Sequence, residues 1–143
     1  MKSLIQILAS KRPEVISVEA DEMVIHALSL MDMNNVGAVL VVANGKPIGI
    51  LTERDYARKV VLRGRASSTT HVEEVMTAKV ISVGLAQTVE ECMAIMTERR
   101  IRHLPVTGED GTVLGILSIG DLVKETISGQ SFDVGHLEHY LTH

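Results

Sequence analysis

Two aspartates stand where their spacing could do chemistry. Asp55 closes the run Gly49-Ile50-Leu51-Thr52-Glu53-Arg54-Asp55, and Asp121 closes Gly115-Ile116-Leu117-Ser118-Ile119-Gly120-Asp121, sixty-six positions later. In each run a glycine opens an apolar stretch, the stretch ends in a hydroxyl residue, and the acid follows three places on. This pattern predicts a buried strand meeting a helix N-terminus. Such a junction offers N–H groups without intrahelical partners and the positive end of a helix dipole, which suits phosphates and other anions. The same spacing is also that of a capping box, with Asp in the place of the usual Glu or Gln. Both readings stand at this level.

The elements that must position these residues occur twice. Residues 4–8 predict a short helix that ends near residues 10–13, and residues 15–18 a β-branched strand. Asp21 is placed to cap a helix whose apolar residues Val24, Ala27, Leu28 and Met31 share one face. Asn34-Asn35 ends it. Residues 37–42 are continuously apolar, which predicts a strand covered on both faces. Asn44-Gly45 is a hairpin signal, and residues 47–51 form the returning strand. A helix follows Thr52 to about Arg63, residues 64–70 read as a Ser/Thr-rich linker, and residues 72–76 as another short helix.

The chain then restarts. Val80-Ile81-Ser82-Val83 repeats residues 15–18 sixty-five positions on, and Thr88 with Glu91 forms a capping-box pattern. Val89, Cys92, Met93 and Met96 fall in register with the first apolar face. A strand from His103 to Val106 leads into a turn one residue longer than the first, with Asp110-Gly111 in the place of Asn44-Gly45. The order of matching elements identifies a tandem duplication of a β-α-β-β-α unit. A copy of about 55 residues has little interior of its own. The expected architecture is therefore an α/β (α+β) pair of repeats packed about a pseudo-twofold axis. Repeat 1, with the N-terminal helix, spans 1–66, repeat 2 spans 67–129, and residues 130–143 form an amphipathic tail.

Composition narrows the function. The chain has 143 residues, a net charge of −4, no Trp, one Phe and two Tyr, so it lacks the basic surplus and stacking aromatics of a nucleic-acid binder. No apolar run approaches the ~20 residues of a membrane span. The N-terminus lacks the form of a signal peptide, and the single cysteine, Cys92, fits a reducing compartment. A cytoplasmic protein is expected. Cys92 lies on the apolar stripe and reads as a small core residue. His136, His139 and His143 share one face of a terminal helix, but no acids or thiols accompany them as metal ligands. Phe132, Val134, Leu137, Tyr140 and Leu141 give that tail its apolar side.

The duplicated unit, with Gly-Ile-Leu-(Thr/Ser)-x-x-Asp closing each copy, resembles the CBS domain, and the tandem pair resembles a Bateman module. The resemblance covers roughly residues 4–127. It includes Val75-Met76-Thr77 at the opening of the second copy and Arg100-Ile101-Arg102-His103-Leu104-Pro105-Val106 within it. The whole pattern is most similar to stand-alone bacterial and organellar CBS-pair proteins. The resemblance implies binding of an adenosine-containing ligand (AMP, ADP, ATP, NAD(H) or S-adenosylmethionine) in clefts between the repeats, without catalysis. It implies that Thr52 and Asp55 serve one site and Ser118 and Asp121 the other, the acid taking ribose hydroxyls and the hydroxyl residue meeting phosphate. Adenine contacts would fall near Val15 and Val39 in the first copy, and near Lys79, Val80, Leu104 and Pro105 in the second. No catalytic cofactor or metal is implied, and a homodimer that regulates an unidentified target protein is expected.

The copies differ in their cations. Arg54 in the first motif corresponds to Gly120 in the second, whereas Gly37 and Ala38 correspond to Arg102 and His103. Arg54 and Arg102, beside the motifs, are assigned to phosphate; Arg58, Lys59, Arg63 and Arg65 serve equally as solvated helix charges. Two unlike sites follow. Two alternatives accompany the sensor reading: a small nucleotide-processing enzyme using Asp55 or Asp121 with His103, and a purely structural oligomerisation module with vestigial pockets.

Overall fold

A computed structural model describes residues 2–11 and 15–129. The expected amphipathic tail and its three histidines lie outside the described residues. The elements run α1 (Leu4–Ser10), β1 (Ser17–Glu19), α2 (Val24–Asn34), β2 (Ala38–Ala43), β3 (Lys46–Thr52), α3 (Glu53–Tyr56), α4 (Val72–Val75), β4 (Val83–Gly84), α5 (Val89–Arg99), β5 (His103–Thr107), β6 (Val113–Ser118) and α6 (Ile119–Gly129). The fold is α+β, with two three-stranded sheets ordered β1-β2-β3 and β4-β5-β6. In each sheet the first pair is parallel and the second is an antiparallel hairpin.

The chain divides into two compact units, Val15–Val80 and the residues on either side of that stretch. These units are not the two sequence repeats. The N-terminal helix, expected with repeat 1, packs in the second unit, where Leu4 and Ile7 join Val89, Cys92, Met96, Leu104 and Leu117. The first unit instead takes α4, whose Val72 and Val75 join Val24, Val39, Val41 and Leu51. The reason is local. Residues after α4 pair with the hairpin just made: Thr77 N–H donates to Ile50 O at 2.9 Å and Ile50 N–H to Thr77 O at 3.0 Å. With α4 used in the first unit, α1 fills the corresponding place in the second. Burying Leu4 and Ile7 there is worth about 1.5–3 kcal/mol for each side chain.

Both motif glycines serve this closure. A Cβ on Gly49 would lie 2.8 Å from Met76 Sδ and 2.8 Å from Thr77 O, and one on Gly115 would lie 2.6 Å from Leu8 Cδ2. The hairpins follow their turn residues. Asn44 and Gly45 both have positive φ, 52° and 76°, as a two-residue turn of the twisted kind requires. Val39 and Val41 face one side of β2 while Ala38 and Leu40 face the other, and all four are buried, as a continuous apolar strand predicts.

Four local expectations are corrected. The first strand of each copy is shorter than residues 15–18 and 80–83, because the parallel ladder starts only at Ser17 and at Val83. Asp21 does not cap α2. The first N–H groups of that helix donate instead to the linker: Val24 to Thr70 O at 2.8 Å and Ile25 to Ser67 O at 3.0 Å. Residues 64–70 are therefore a capping segment rather than a bare linker, and Thr70 within it is buried. The helix after Thr52 is also not uniformly α-helical. It passes at Ala57–Val61 into a π-helical stretch, a widening often found at functional positions.

Candidate functional site

In the first unit, β3 delivers Thr52 to the start of α3. Thr52 Oγ1 accepts from Asp55 N–H at 3.1 Å, and Asp55 Oδ2 accepts from Thr52 N–H at 3.0 Å, so the motif is a capping box. Glu53 N–H donates to Gly37 O at 3.1 Å. Two N–H groups of the first turn are thus taken by the protein. Asp55 takes more: the Thr52 hydroxyl at 3.1 Å, the Thr77 hydroxyl at 3.1 Å and Lys59 Nζ at 3.0 Å. Lys59 is held in place by a second bond, to Val75 O at 3.1 Å. A carboxylate has about four lone-pair positions. Thr52 N–H, two hydroxyls and one ammonium fill them, and the Asp55 side chain is only 9% exposed.

The second unit builds the same junction differently. Ser118 Oγ accepts from Asp121 N–H at 3.1 Å, Asp121 Oδ2 accepts from Ser118 N–H at 2.8 Å, and Ile119 N–H donates to Arg102 O at 2.9 Å. The position of Lys59 is taken by Glu125, whose Oε1 accepts from Lys2 N–H at 2.6 Å. The cation comes instead from the end of α1. Lys11 Nζ lies 2.6 Å from Asp121 Oδ2 and 2.6 Å from Ile116 O. Asp121 Oδ1 has no hydrogen bond among the described residues, and the side chain is 23% exposed. It borders a cavity of about 190 Å³ lined also by Lys2, Ser10, Lys11, Lys124 and Glu125.

His103 completes this neighbourhood. It stands opposite Ser118 in the β5–β6 ladder. Burial chiefly, and then the charge of Lys11, hold its imidazole below the ordinary histidine range, while Asp121 acts in the opposite sense. The structure therefore gathers Ser118, Asp121, His103 and Lys11 in one unit.

The other residues singled out in the sequence fall in several environments. Arg54 and Arg102 are exposed. Val39 and Leu104 have no exposed surface and belong to the two cores, and Pro105 is buried beside Leu104. Val15 and Val80 are half-buried and outside the strands, and Lys79 is exposed. Lys79 and Val80, expected with the second motif, belong to the compact unit of Asp55. Two residues that touch the motifs were not singled out as site residues in the sequence: Thr77 and Lys11. Thr77 follows the Val75-Met76 pair that opens the second copy. Lys11 corresponds in repeat register to Met76, the residue against Gly49. That correspondence is the signal that could have found it.

Among the described residues no group of His, Cys, Asp and Glu could hold a metal ion, and no helix is long and apolar enough to cross a membrane.

A duplicated three-stranded unit closed by a capped Thr/Ser-x-x-Asp junction is the form of the CBS domain. The model of that domain matches residues 7–62 and again 72–128, and the chain belongs to the CBS-domain family as a tandem pair. It is 39% identical over 126 residues to the mitochondrial CBS domain-containing protein CBSX3 of Arabidopsis thaliana, covering 85% of this chain and 61% of that protein. It is 35% identical over 118 residues to the CBS domain-containing protein YhcV of Bacillus subtilis, covering 82% of this chain and 83% of that one. The chain thus spans less than two thirds of the plant relative's length. A solved CBS-domain structure from Burkholderia ambifaria is 48% identical with a TM-score of 0.85, over 93% of this chain and 99% of that one. The CBS domain protein PAE2072 of Pyrobaculum aerophilum, solved with AMP, shares the fold at 23% identity, with a TM-score of 0.75 over 99% of this chain and 100% of that one.

Proposed function

We propose that this CBS pair is a regulatory module that binds an adenosine-containing ligand, AMP, ADP, ATP, NAD(H) or S-adenosylmethionine, and catalyses no reaction. The observation that carries the reading is Asp121. It is a carboxylate fixed by its capping bond, with one oxygen that has no hydrogen bond among the described residues, an ammonium at its side and a cavity at its edge. Such a group can accept ribose hydroxyls while Lys11 faces the phosphate. AMP is the first ligand to try, given the fold shared with the AMP-bound Pyrobaculum protein. Binding would act by favouring one arrangement of the chain over another, and only to the extent of its differential affinity. A homodimer, a partner protein as target and a cytoplasmic setting, in keeping with the free, buried Cys92, complete the proposal. A thermal-shift panel of the five ligand types tests it, since a ligand of the native state raises the melting temperature by mass action. No shift with any of them would overturn it.

A second reading, a nucleotide hydrolase, draws on His103, which stands opposite Ser118 of the Asp121 motif in the β5–β6 ladder. Turnover of ATP or NAD(H) that Asp121→Ala abolishes would favour it over the sensor.

A further inference from the structure

We infer that the two motifs are not two sites: the chain takes one nucleotide, at Asp121, and Asp55 is an internal cap that takes none. The inference rests on the proposed nucleotide reading and fixes which carboxylate serves it.

The two carboxylates differ in the acceptor positions they leave free. A ribose offers two hydroxyl donors, so the accepting carboxylate must have free lone pairs. Asp55 has none to give. Its Oδ1 meets the Thr77 hydroxyl at 3.1 Å and Lys59 Nζ at 3.0 Å, and its Oδ2 meets Thr52 N–H at 3.0 Å and the Thr52 hydroxyl at 3.1 Å. A ligand would have to displace Thr77, whose backbone is pinned to Ile50 by two hydrogen bonds, or Lys59, which is also tied to Val75 O. Either exchange replaces one satisfied bond by another and gains little.

Asp121 differs on each count. Its Oδ2 carries the capping bond and Lys11, while Oδ1 has no hydrogen bond among the described residues. Lys11 has three donors. Two go to Asp121 and Ile116 O, which leaves one for an anion. The cavity of about 190 Å³ beside this pair is also lined by two further cationic residues, Lys2 and Lys124. The second unit therefore presents an open acceptor with cations around it, and the first presents a closed one.

The stoichiometry of AMP binding, by calorimetry on the whole chain, is the first readout, and hydrogen exchange of the unmodified protein with and without AMP is the second. One AMP per chain, with added protection at residues 118–122 and none at 52–56, is expected. Two per chain, or protection at 52–56 in place of 118–122, would overturn the inference while leaving the proposed function intact. No binding of AMP or of any panel ligand would overturn both. As a third arm, 2′,3′-dideoxyadenosine 5′-monophosphate should bind at least tenfold more weakly than AMP; equal binding would show that Asp121 does not take the diol.

Discussion

Lys59 and Glu125 occupy the same place in the two repeats, four residues beyond the motif aspartate, and carry opposite charge. In the first unit the lysine reaches back one turn and neutralises Asp55 from the same helix. In the second unit the glutamate accepts from Lys2 N–H, and the neutralising cation arrives from α1 as Lys11. One arrangement closes the carboxylate with local groups, and the other leaves it open at the edge of a cavity. The difference between Arg54 and Gly120 is the more visible in the sequence, yet the cations seen on the motif aspartates are Lys59 and Lys11.

The first consequence is a difference in stability. Asp55→Ala removes a cap and strands the Thr77 hydroxyl, the Thr52 N–H and Lys59. A lost cap costs about 1 kcal/mol and each orphaned partly buried group adds about 1 more, so a loss of about 2–4 kcal/mol is expected. Asp121→Ala loses a cap and one partly exposed ion pair, for about 1–2 kcal/mol. Urea denaturation of the two variants measures the order. Equal losses would mean that Asp55 is no more deeply engaged than Asp121.

The motif glycines separate in a similar way. Gly49→Ala sets a methyl group against a backbone carbonyl, Thr77 O, that is fixed by its bonds to Ile50, and overpacking of that kind costs about 1–3 kcal/mol. Gly115→Ala meets only the end of the Leu8 side chain, which can turn away. The second substitution should therefore cost less than the first. Its cost should shrink further in a Leu8→Ala background, which a double-mutant cycle reads directly. A Gly115→Ala cost that Leu8→Ala leaves unchanged would count against the packing of α1 in the second unit.

His103 gives a pH dependence with a definite sign. Burial and Lys11 lower its folded pKa, so the unfolded chain binds the proton more readily. The associated stability is complete above the unfolded value of about 6.5 and is lost as pH falls from there through the folded value. Denaturation midpoints of His103→Gln should fall less between pH 7 and pH 5 than those of the parent. Lys11→Met should raise the His103 pKa seen by NMR titration. An unchanged value would separate Lys11 from His103.

The elements were legible in the sequence because each carried its own local signal. The Thr88–Glu91 capping box, the Asn44-Gly45 turn and the apolar face Val89, Cys92, Met93 and Met96 all stand where their spacing puts them. The motifs were also legible as capping boxes from their three-residue spacing. What spacing could not show was which helix would pack on which hairpin. Leu4 and Ile7 carry no mark of joining a core more than seventy residues away, so Lys11 could not be placed beside Asp121. Likewise the α2 cap comes from the carbonyls of Ser67 and Thr70, and a carbonyl is present in every residue. Side-chain patterns cannot announce it.

An AMP titration of the parent chain beside Asp121→Asn tests nucleotide binding at Asp121 most directly. Asparagine keeps a carbonyl oxygen for the Ser118 cap but loses the charge and half of the acceptor capacity. The variant should retain its circular dichroism spectrum, and its affinity for AMP should fall at least tenfold. A folded Asp121→Asn protein that binds AMP as tightly as the parent would contradict binding at that residue.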